Sequence, residues 1–154
     1  MPNAVYRSLS TTLAALCLAA GAAAAQGAAA LAPIERQAGV EYRTGGIGVD
    51  ESTAFEKESR DWPLTVIFAI QEGTSSQYAA DVAYTVRDDK GATVLQGKTS
   101  GPYLLARLAP GRYVLDAVIG DVPRQHAFRI SAGGRHRHVM LWSAQEHPGL
   151  RDAR

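Results

Sequence analysis

The chain has 154 residues, with 16 Lys and Arg against 15 Asp and Glu and a formal net charge of +1. That length fits one domain, and the near-neutral balance excludes a protein that holds nucleic acid or another polyanion by bulk electrostatics. A single cysteine, Cys17, excludes a disulfide framework.

The N-terminus reads as a secretion signal. Arg7 supplies positive charge, and Leu13 to Ala25 is an uncharged run of mostly small apolar residues. Ala23-Ala24-Ala25 offers a cleavage site before Gln26, with Ala28-Ala29-Ala30 as a second candidate. The run is too short and too rich in alanine for a spanning helix, so the expectation is a periplasmic or secreted protein rather than an integral membrane one. Cys17 leaves with the signal, and Leu16 before it disfavours lipid attachment. The expected layout is a signal peptide at 1–25, a flexible leader at 26–39, a β-sandwich domain at 40–142 and a polar tail at 143–154.

Val40 to Arg43 suits a short strand, and a glycine-rich loop follows from Thr44 to Asp50. Asp50 is a candidate N-cap for a helix from Glu51 to Arg60, with Glu51 favoured in the first turn. Phe55 and Trp62 would dock that helix, and Pro63 would stop it. Leu64 to Ile70 is dense in β-branched and aromatic residues and predicts a strand near a sheet centre. Glu72 to Gln77 predicts a polar turn. Tyr78 to Arg87 alternates with period two, which predicts a half-buried strand carrying Ala80, Val82, Tyr84 and Val86 on one face. A turn at Asp88–Gly91 leads to strands over 93–98, 103–108, 112–119, 124–130 and 137–142. Their spacing of about ten residues argues for a sandwich and against a parallel α/β sheet.

The segment from Leu108 to Tyr113 has a mechanical reading. Pro110 presets one dihedral of a tight turn, and Gly111 would take the positive φ of a type II turn. Tyr113 then enters a strand with its hydroxyl placed to reach back to the backbone, as in a tyrosine corner.

Together with the preceding stretch from Ala80 to Gly91, the segment Gly101–Tyr113 resembles the carboxypeptidase regulatory-like domains. These are transthyretin-like or prealbumin-like sandwiches, related to Cna-B modules. The Gly45–Glu51 loop, the Leu64–Ile70 strand and the Val139–Trp142 strand also resemble a small group of secreted proteobacterial proteins of this kind. The resemblance covers about residues 40–142. It implies an all-β, seven-stranded antiparallel Greek-key sandwich with one short helix before the first main strand, and it carries no catalytic residues.

Candidate chemistry is sparse. No nucleophile elbow or reactive thiol is present, and the chain lacks the Tyr-Arg-Gly-Ser ending of the hydroxyisourate hydrolases that share the transthyretin-like fold. His136 and His138 lie two apart on a predicted strand and so share a face, which Met140 continues. His126 lies on the preceding strand. A His and Met set of this kind suits copper or zinc. The Gly45–Glu51 loop is a candidate partner surface, with Gly45 and Gly46 shaping it and Arg43, Asp50 and Glu51 as rim charges. The first expectation is a non-enzymatic accessory module without a cofactor, binding another envelope or secreted protein. The second is a periplasmic metal-binding protein using His126, His136, His138 and Met140. A hydrolase of unspecified substrate is the third.

Overall fold

The computed structural model describes residues 30–145. The expected signal segment, and the tail beyond Gln145, lie outside them. Among the described residues no helix is long and apolar enough to cross a membrane.

The fold is mostly β, in two sheets. Strands β1 (Glu35–Gln37) and β2 (Val40–Gly45) form a hairpin through Ala38-Gly39. A helix α1 (Val49–Glu58) and a single 3-10 turn (Ser59–Asp61) follow, then β3 (Leu64–Glu72) and β4 (Ser75–Tyr78). The chain continues through β5 (Ala83–Asp88), β6 (Thr93–Lys98), β7 (Tyr103–Ala106), β8 (Gly111–Ile119), β9 (Val122–Ile130) and β10 (His136–Ser143). One sheet runs β1-β2-β7-β3-β10, with β4 also paired to β3; the other runs β6-β5-β8-β9.

The second sheet is antiparallel throughout, as the hairpin spacing predicts. The first is mixed, which corrects the expectation of antiparallel strands alone. β10 runs parallel to β3, with His136 opposite Leu64 and Trp142 opposite Ile70. The cause is where the chain changes sheets. β9 ends beside the start of β3, the short Ser131–Arg135 connection crosses there, and His136 N–H donates to Pro63 O at 2.8 Å. A strand begun beside the start of β3 must run the same way.

The two sheets share one apolar core. Leu64, Val66 and Phe68 of β3, Leu104 of β7 and Trp142 of β10 enter it from the mixed sheet; Tyr84, Val86, Leu95, Leu115 and Phe128 enter from the other. The alternation expected for Val82, Tyr84 and Val86 is present, with all three buried. A second cluster lies on the opposite face of the mixed sheet. There Phe55 and Trp62 close over Ile67, Tyr103 and Leu105, so β3 is buried on both faces and reads as a continuous apolar run.

Local differences from the sequence reading have local causes. The segment expected as a flexible leader contributes β1, because the Ala38-Gly39 turn folds it back onto β2. The helix starts two residues early. Gly48, not Asp50, occupies the cap position, without a side-chain cap, while the Glu51 carboxylate accepts the Ile47 N–H at 3.0 Å and satisfies a donor before the first turn. The polar stretch after Glu72 contracts to a tight turn at Gly73, and Ser75–Tyr78 pairs back along β3. Gly111 does not have a positive φ. A Cβ there would stand 3.4 Å from the Tyr113 ring, an ordinary contact, so the type II requirement for glycine does not apply at this position. Tyr113 does reach back, its hydroxyl donating to Ala109 O at 2.8 Å.

Candidate metal centre

β9 and β10 are edge strands of different sheets, and they face each other along one side of the core. On each, alternate residues point inward. From β9 these include Val122, Arg124, His126 and Phe128; from β10 they include His136, His138, Met140 and Trp142. At one end the seam is closed by Trp142, fully buried, whose indole N–H donates to Val122 O at 2.8 Å. At the other end are the three histidines, each half-buried.

His126 Nε2 lies 3.0 Å from His136 Nε2. A hydrogen bond at that distance needs a hydrogen on one Nε2 and a lone pair on the other. The His126 and His138 rings stack face to face, centroids 3.5 Å apart and planes 5° from parallel. One ligand nitrogen from each of the three lies within 4.8 Å of the others. Two imidazoles on a tetrahedral ion at about 2.0–2.1 Å place their nitrogens about 3.3 Å apart, so the His126–His136 pair already has nearly that spacing. The ligand nitrogen of His138 lies within 4.8 Å of both.

Burial lowers the pKa of all three imidazoles below the usual histidine value. The His126 ring lowers that of His136 further, and both neighbours lower that of His138. Neutral rings present lone pairs, the form a metal requires. Two neighbouring cations are turned away from the rings. Arg135 donates to Arg60 O, and Arg137 pairs with Glu56 at 2.8 Å, both across the outer face towards α1 and its 3-10 turn.

The structure therefore brings His126, His136 and His138 together. Met140 shares their face but is packed in the core at 3% exposure, next along the strand to Trp142. Phe128, which sequence reasoning did not single out, lines the site: its ring lies 5.0 Å from His136 and 6.1 Å from His126, nearly parallel to both. Its signal was the inward period of β9, which places it two residues after His126.

The glycine loop has a structural role. Arg43 is buried at 8% exposure and pairs with Glu58 at 3.3 Å. A Cβ on Gly45 would lie 2.7 Å from the Phe55 ring, and one on Gly46, whose φ is 94°, would lie 2.5 Å from the Tyr103 ring. These residues seat the helix, and Glu51 holds the loop amide; Asp50 alone of the five is exposed.

Among the described residues, His126, His136 and His138 form the one group of three or more His, Cys, Asp or Glu side chains at metal-ligand spacing. No protein-family model matches the chain, and no curated protein matches it in sequence.

Proposed function

We propose that the protein is an exported, non-enzymatic sandwich module of the transthyretin-like, carboxypeptidase regulatory-like kind, and that it binds one first-row transition-metal ion, copper(II) or zinc, through His126, His136 and His138. The observation that carries this reading is the convergence of three imidazole nitrogens within 4.8 Å from two different sheets. Three neutral imidazoles suit zinc and copper, and the general affinity order favours copper(II) over zinc for a given donor set. The Tyr113–Ala109 corner supports the sandwich assignment. Isothermal titration of the metal-free protein with Cu(II) and Zn(II) tests the function. One equivalent bound with a dissociation constant below micromolar, lost in His126→Ala and in His136→Ala, is the expected result. Binding that survives both substitutions refutes it.

A second reading, an accessory module that docks on another envelope protein, is favoured by one feature. Val139 and Leu141 are exposed at 45% and 41% on the outer face of the edge strand β10, and Leu141 and Tyr78 flank Ala69 in register across the sheet. A partner retained from envelope extract and released by Leu141→Lys supports that reading; retention unchanged by the substitution counts against it.

A further inference from the structure

We infer that the outer face of the antiparallel sheet carries a binding site for a small monocarboxylate with an apolar body, held by Arg112 and Arg129. The inference goes beyond the metal-binding reading and does not rest on it, because His126 points inward from β9 and this site lies on the other face of that strand.

Arg112 of β8 and Arg129 of β9 stand directly opposite each other in the ladder. The next pair, Tyr113 and Phe128, is buried in the core, so both arginines project from the outer face, where they are exposed. Like charges in that register repel. On the same face Arg87 of β5 is paired with Asp116 of β8. Arg112 and Arg129 are not: among the described residues neither has an ion-pair or hydrogen-bond partner. Two free guanidinium forks side by side form a clamp for one carboxylate. Its oxygens accept from both, and its charge relieves their repulsion.

Both arginines line one open cleft of about 530 Å³, within the size range of small-molecule sites. Its floor is apolar. Val114 and Ala127, also opposite each other, occupy the next outward positions along the two strands, about 7 Å from the arginines by standard rise. The turn after β5 brings Asp88 and Asp89 to the same cleft. The Asp88 carboxylate is committed to that turn, accepting the Lys90 N–H at 3.0 Å and the Ala92 N–H at 2.9 Å. Two carboxylates on the lining match the two guanidiniums, so a second negative charge on a ligand meets repulsion that a single one does not. The cleft therefore selects a monocarboxylate over a phosphate, with the apolar body laid on Val114 and Ala127.

Naphthoate, a fluorescent carboxylate with an apolar body, provides the test. The whole protein, metal-free, is titrated with it while probe fluorescence and the backbone amide NMR spectrum are followed, with naphthamide and inorganic phosphate in parallel. The expected result is saturable, single-site binding of naphthoate that shifts the Val114 and Ala127 amides. Arg112→Gln and Arg129→Gln should each weaken it several-fold, and His126→Ala should leave it unchanged. Naphthamide should bind several-fold more weakly, and phosphate should not displace the probe at equal concentration. Both arginine variants should melt no lower than the parent, since each removes a repulsion, which separates loss of the clamp from loss of the fold. No saturable binding of naphthoate, or binding that survives both arginine substitutions, overturns the site. Equal affinity for naphthamide overturns the carboxylate preference, and equal affinity for phosphate overturns the role of the apolar floor. Binding lost in His126→Ala but kept in both arginine variants places the ligand at the histidines and overturns the site as well. Metal titration is read separately, so either reading can fail while the other stands.

Discussion

His126 and His136 bring their Nε2 atoms to 3.0 Å of each other, although one belongs to the edge of the antiparallel sheet and the other to the edge of the mixed sheet. No backbone ladder joins those two strands. The side chains between them fasten that side of the core.

A metal ion held there stabilises the fold by mass action. At free zinc or copper one hundred times the dissociation constant, the gain is about 2.7 kcal/mol, which for a domain of this size raises Tm by several degrees. Thermal melts with and without metal measure it. The rise should vanish in His126→Ala, and chelator should reverse it in the parent protein.

The metal-free protein loses stability in acid. Burial holds the three imidazoles below their usual pKa, so the unfolded chain, protonating near about 6.5, binds more protons than the folded one over the interval beneath that value. Stability rises with pH wherever that is so. The contribution is complete above about pH 6.5 and falls as the pH drops through the interval towards the folded values. Urea denaturation at pH 8, 6.5 and 5 should show the decline, and His126→Asn should make it shallower.

Tyr113→Phe removes one hydrogen bond, the hydroxyl to Ala109 O, and leaves the ring stacked on Phe128 at 5.6 Å. The expected loss is about 0.5–1.5 kcal/mol by chemical denaturation, with metal affinity unchanged. A loss much above that range would mean the hydroxyl does more than close the corner.

Trp142→Ala opens the closed end of the seam. It deletes a fully buried ring and leaves Val122 O without its indole donor. Large-to-small changes of this kind cost about 3–5 kcal/mol. Trp142→Phe keeps most of the volume and should cost less, and it separates loss of packing from loss of the hydrogen bond. Both variants should fold measurably better with metal than without it.

The fold was largely legible where local chemistry settles it. The run from Leu64 to Ile70 identified β3 because it is buried on both faces, and the period-two pattern around Tyr84 identified β5 and its inward side. The tyrosine corner could be read because Pro110 and Tyr113 act within six residues. Three features were hidden. The parallel direction of β10 depends on which end of β3 the chain reaches after β9, and no local pattern encodes that. The strand at Ser75–Tyr78 is polar and exposed, so its pairing with β3 leaves no hydrophobic signature. The start of α1 turned on Glu51 reaching back to Ile47, a side-chain choice that competes with Asp50 as cap. At the site, strand period placed His136 and His138 on one face, and hairpin order placed His126 nearby. What the sequence could not supply was the meeting of two unpaired edges, which makes ring neighbours of residues in different sheets and consigns Met140 to the core.

The parallel pairing of β10 with β3 also has a kinetic side. Its partners are separated by about seventy residues, and pairings so distant form slowly because a long loop must close first. A chain growing from its N-terminus therefore holds one side of β3 open until the last strand arrives. Before β10 docks, the folded part holds only His126 of the three; His136 and His138 join it with that strand. If the proposed site holds metal, its three ligands come together only after β10 has docked, so occupancy would report that this strand has been seated.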